Sequence, residues 1–148
     1  MGGMWVSRDT FSTRGDNRVM PGPRTHGLIL FAHGARDARW GQTLRALRET
    51  VAARRPKSRV ELAFLEFQAP TLTDALADAV TAGCMRIDIA PVFWASGGHI
   101  VNDLPPMLDA FRRSAPQVQV NVLPVLSELP GMVDFIADAL HVLAAPPT

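Results

Sequence analysis

The sequence predicts an α/β fold: a doubly wound, four-stranded parallel sheet of order 2-1-3-4 with helices on both faces. Two observations predict it. Short apolar runs recur near residues 27–33, 60–67, 85–93 and 118–123. After each comes a segment whose apolar residues step by three and four, the period of an amphipathic helix. Strands that alternate with helices imply a parallel sheet with right-handed crossovers. The common doubly wound order sets strands one and three side by side, with the ligand-binding switch point between them. At 148 residues the chain holds one domain with one core, expected over residues 26–143.

The first strand, Leu28-Ile29-Leu30-Phe31-Ala32, is apolar throughout, as a strand buried on both faces should be. It ends at His33-Gly34-Ala35-Arg36-Asp37, which places a histidine at the carboxyl end of the sheet. The next helix, about 39–54, carries Trp40, Leu44, Leu47 and Val51 as one stripe expected to face the core. Arg45, Arg48, Arg54 and Arg55 lie mostly off that stripe, as a solvated face would. The second strand, Val60 to Phe67, brings Glu66 to its carboxyl end. Thr71 then caps a helix, with Asp74 three residues on, and Gly83 stops it.

The third strand, Met85 to Phe93, alternates Arg86 and Asp88 with apolar residues, less apolar than a fully covered central strand should be. A loop follows, Trp94-Ala95-Ser96-Gly97-Gly98-His99. Asn102 is expected to cap the next helix, because Pro105 and Pro106 are tolerated only in a first turn. Val118 to Leu123 alternates cleanly and reads as a half-exposed edge strand. A last helix, about 129–143, is expected to bury Val133, Ile136, Leu140 and Leu143. Outside the domain, residues 1–25 read as a disordered leader, with Met20 as an alternative start, and 144–148 as a tail.

The totals exclude several functions. A net charge of +1 gives no case for nucleic acid, and one cysteine allows no internal disulfide. No apolar run approaches the roughly 20 residues that span a bilayer, so no membrane partner is expected and the location expected is the cytoplasm. No glycine-rich nucleotide fingerprint follows a strand. The His33-Gly34 pair follows Ala32 rather than an arginine, which disfavours phosphohistidine chemistry.

With the order 2-1-3-4, His33, Glu66 and His99 converge at one end of the sheet. Two imidazoles and a carboxylate suit a first-row divalent metal. Each residue also has a plainer explanation: a solvated loop histidine, or a glutamate paired with Arg36 or Arg39. Phe93 and Trp94 are open to either core packing or a flat ligand.

The pieces LFAHGARD around His33, VELAFLE ending at Glu66, Ala69-Pro70-Thr71, and PVF-x-x-x-GGHI-x-x-DLP around His99 occur in a familiar order. Over about residues 26–143 the chain resembles the class II tetrapyrrole chelatases, specifically the sirohydrochlorin chelatases of the CbiX/SirB type in their short, single-domain form. The resemblance implies insertion of Co²⁺ or Fe²⁺, with Ni²⁺ also possible, into sirohydrochlorin or a close relative, for cobalamin or sirohaem synthesis. It implies no ATP and no organic cofactor, the metal being a substrate. It implies a homodimer that holds the tetrapyrrole in a cleft. His33 and His99 match the family's histidines, expected to hold metal and take up pyrrole protons, since imidazole titrates near pH ~6.5. Glu66 matches its glutamate, expected to complete the ligand set or to fix one imidazole by a hydrogen bond. Arg36, Arg39, Gly97 and Gly98 are the expected substrate contacts. Ala35 stands where relatives carry serine. The competing readings are a non-catalytic metal or tetrapyrrole carrier on the same fold, and a phosphate-handling hydrolase.

Overall fold

A computed structural model of the chain describes residues 26–146, the side chain of His99 excepted. The expected leader and the last two residues of the expected tail lie outside the described residues.

The elements run β1 (His26–Ala32), α1 (Arg39–Arg54), β2 (Ser58–Phe64), α2 (Leu72–Thr81), β3 (Arg86–Pro91), α3 (Gly98–Ser114), β4 (Gln119–Val122), a 3-10 turn at Leu126–Glu128, and α4 (Met132–Leu143). All strand pairs are parallel, in the order β2-β1-β3-β4. Alternate residues of β1 feed two cores, as the two-residue period of a strand demands. Ile29 and Phe31 pack with Ile87, Ile89 and the α2 and α3 residues Leu72, Leu76, Leu104 and Leu108. Leu28, Leu30 and Ala32 pack on the other face, beneath Leu44 and Val51 of α1. Thr71 caps α2 as expected, its hydroxyl accepting from the Asp74 amide at 3.2 Å. Gly83 closes α2 with φ of 88°, a conformation open to glycine.

The polar residues of β3 have a structural reason. At the amino end of the sheet a row of side chains ties the four strands together. Ser58 of β2 lies 3.0 Å from His26 Nδ1, His26 Nε2 lies 2.7 Å from Asp88 Oδ2, and Asn121 of β4 donates to Asp88 Oδ1 at 3.0 Å. Burial alone would raise the Asp88 pKa. The hydrogen bonds from His26 and Asn121 and the charges of Arg86 and His26 outweigh it, and the carboxyl is held below its ordinary value.

Three expectations are corrected. First, α3 begins at Gly98, not beside Asn102, so Pro105 and Pro106 sit in its interior. Val101 N donates to Gly97 O at 3.1 Å, which closes the first turn well before the prolines. The prolines withdraw donors from the carbonyls of Val101 and Asn102, both exposed residues with access to water. Second, Trp40 is 68% exposed rather than buried, because it faces an open cleft at the carboxyl end of β1, and Leu47 is also exposed. Third, α4 buries none of its residues. Val133, Leu140 and Leu143 are exposed, as are Phe135 and Val142, and the helix packs chiefly on the 3-10 turn. An apolar stripe shows that a helix can be covered; it does not supply the covering layer.

Candidate functional site

The site grows from the carboxyl ends of β1 and β2. Past the last strand pair, Ala32 with Phe64, the two segments stay together: Leu65 N donates to Ala32 O at 2.9 Å and Glu66 N to His33 O at 3.1 Å. Gly34 then turns away with φ of 88°. A Cβ at Gly34 would collide with the Glu66 carbonyl oxygen, so only glycine lets the two segments approach this closely. Phe67 turns the other segment, also at positive φ.

That backbone pairing brings two of the expected residues together. His33 Nε2 and Glu66 Oε1 are 3.6 Å apart, both side chains nearly half exposed. His33 Nδ1 lies 3.4 Å from the Gly34 carbonyl. Nε2 is thus the ring nitrogen that faces the carboxylate. The ring edge also meets Phe93, centroids 6.3 Å apart, and Phe93 in turn meets Phe31 at 5.8 Å. Phe93 is therefore a half-buried support joined to the core, whereas Trp94 is exposed.

His99 is the second residue of α3, in its first turn rather than in a loop. Its side chain lies outside the described residues. Among the described residues, no group of three His, Cys, Asp or Glu side chains is placed to hold a metal ion. Gly97 is the N-cap of α3 and Gly98 its first residue. A Cβ at Gly97 would meet nothing within 4 Å and one at Gly98 only Asn102, so neither glycine is required by packing.

The two expected arginines are engaged. Arg36 stacks on the Phe67 ring, 4.8 Å from its centroid. Arg39 grips Asp37 with a 2.7 Å ion pair, and its side-chain hydrogen bonds, then its backbone one, hold the Asp37 carboxyl below its ordinary value. Beside His33 opens a cleft of about 680 Å³. His33, Gly34, Trp40, Thr43, Gln68 and Val92 are among its walls. Sequence reading misses Trp40, Thr43 and Gln68 as cleft residues. The available signal is Gly41, a glycine inside a helical pattern.

The CbiX family model matches residues 27–142, which is most of the chain. The chain belongs to the CbiX family. Among curated relatives, the sirohydrochlorin cobaltochelatase of Methanococcoides burtonii is 34% identical over 82 residues, 55% of this chain and 63% of that protein. The enzyme of the same name from Methanocaldococcus jannaschii is 37% identical over 81 residues, 55% of this chain and 57% of its own. The matched stretch thus spans about three-fifths of these relatives. Among solved structures, the CbiX protein of Marinobacter aquaeolei VT8 superposes with a TM-score of 0.68 at 26% identity, over 79% of this chain and 95% of that one. The Bacillus subtilis sirohydrochlorin chelatase SirB, solved in complex with cobalt, shares the fold with a TM-score of 0.68 at 19% identity, over 81% of this chain and 51% of SirB. The four-stranded sheet is thus a CbiX sheet. No described helix is long and apolar enough to cross a membrane.

Proposed function

We propose that this CbiX-family chain inserts Co²⁺ or Fe²⁺ into sirohydrochlorin or a close relative, with no ATP or organic cofactor. The observation that carries the reading is the His33–Glu66 pair. Two ligands about 2.1 Å from one ion, at a near-tetrahedral angle, stand about 3.4 Å apart. The observed 3.6 Å between Nε2 and Oε1 fits that spacing. The names of the relatives supply the reaction, sirohydrochlorin cobaltochelatase.

In this reading His33, Glu66 and His99 receive the incoming metal as substrate. His33 and His99 also accept the protons that two pyrrole nitrogens release as the metal enters the macrocycle. The half-exposed ligands and the adjacent open cleft suit a metal that must be handed on rather than kept. Gly97 and Gly98 leave open space beside the first turn of α3, where a flat ligand can approach the backbone.

The working unit is a homodimer. Two observations support it: α4 presents Val133, Phe135 and Leu140 with nothing over them among the described residues, and the fold fills only about half of SirB. The test mixes protein, Co²⁺ or Fe²⁺ and metal-free sirohydrochlorin and follows the absorption change. Catalysed release of metallated product at many turnovers is expected. Stoichiometric binding without turnover would instead mark a carrier.

A further inference from the structure

We propose that Arg45 and Gln68, meeting over Gly41, form a subsite for a carboxylate of the tetrapyrrole substrate; the inference rests on the chelatase reading above. Gly41 is a buried residue in the first turn of α1. A Cβ there would lie 3.1 Å from both Arg45 Nη1 and Nη2 and 3.2 Å from Gln68 Nε2. The space that a side chain would fill is therefore taken by a guanidinium from the next turn of the helix and an amide from the loop after β2. Gln68 is also a wall of the cleft beside His33.

The chemistry of the pair is one-sided. A guanidinium carries only donors, and Gln68 turns its NH₂ group toward the same point. Its Oε1 faces inward, buried, with no hydrogen-bond partner among the described residues. A cluster of donors is matched by a ligand with acceptors only, and a planar carboxylate matches the guanidinium fork.

Charge points the same way. Arg39 is neutralised by Asp37, and Arg36 lies on Phe67. Arg45 forms no ion pair among the described residues, so its charge is left to answer a ligand's. Gly41 matters because it lets the guanidinium lie against the helix surface, toward Gln68, rather than extend into solvent.

The experiment measures the Kd of metal-free sirohydrochlorin by quenching of tryptophan fluorescence, with no metal and no turnover. Arg45→Gln is expected to weaken binding about tenfold and to flatten its salt dependence. Gln68→Glu should weaken it similarly, because the new carboxylate occupies Arg45. The double variant should bind no better than either single one, because the new carboxylate, without Arg45 to pair with, faces the ligand unpaired. Arg113→Gln, at the far end of α3, should bind as wild type does. All of these substitutions leave the cores intact, and unchanged thermal unfolding midpoints confirm that. If Arg45→Gln binds as tightly as wild type while wild type still metallates sirohydrochlorin, the subsite is overturned and the chelatase reading stands. If wild type leaves sirohydrochlorin unbound, both fall.

Discussion

Gly34 and Glu66 touch so closely that the first has no room for a side chain: its Cβ would collide with the Glu66 carbonyl oxygen. The same contact holds His33, the neighbour of Gly34, 3.6 Å from the Glu66 side chain. Gly34→Ala should therefore damage stability and site together. The positive φ alone costs about 1–2 kcal/mol, and the collision adds to it. Urea unfolding should show a loss larger than that range, with metal-insertion activity falling further than the unfolded fraction explains. A Gly34→Ala variant with wild-type stability would contradict the geometry.

Removing the ligands should separate activity from folding. His33→Ala is expected to cut the insertion rate by roughly 10²–10⁴, the range for a lost proton acceptor. Glu66→Gln should lower metal affinity or activity by about 10–100-fold, the range seen when a metal's supporting group is lost. Both side chains are nearly half exposed, so thermal midpoints should stay close to wild type. Full activity in both variants would move the site elsewhere.

Asp88 makes stability depend on acid. Its folded pKa lies below its ordinary value of about 3.9. A depressed carboxyl stabilises the fold above its unfolded pKa, and that stabilisation fades as pH falls through the folded value. Asp88→Ala leaves His26 and Asn121 without their acceptor and should cost about 1–3 kcal/mol at neutral pH. The gap between the variant and wild type should narrow as pH falls below about 4, as read by denaturant titration at each pH. A gap that widens below about pH 4 would show the sign to be wrong.

The exposed side of α4 should control assembly. Phe135→Glu and Leu140→Glu place charges on residues 70% and 62% exposed in the single chain. Sedimentation should show the wild type as a dimer and these variants as monomers, while the folded monomer keeps its circular dichroism. A wild type that sediments as a monomer would remove the dimer from the proposal.

Much of the fold is legible in the sequence because it depends on period. The apolar run of β1, the capping of α2 by Thr71 and the alternation of β4 each state their surroundings locally, and the order 2-1-3-4 follows from the common winding. What the sequence misplaces depends on partners. Pro105 and Pro106 suggest a late start for α3, because the exposure of the carbonyls they leave unbonded is a tertiary fact. The stripe of α4 looks buried because a stripe does not say what lies opposite. The meeting of His33 and Glu66 is legible, since both end strands that have to be neighbours. That of Gln68 and Arg45 is not, because it depends on a missing Cβ at Gly41.

The row from Ser58 through His26 and Asp88 to Asn121 lies at the end of the sheet opposite His33. The polar clasp that secures the strands and the residues that would handle metal thus occupy separate poles. Loops at the carboxyl pole can change sequence without loosening the clasp. The same scaffold can therefore drift toward a different ion or macrocycle while its strands stay in register.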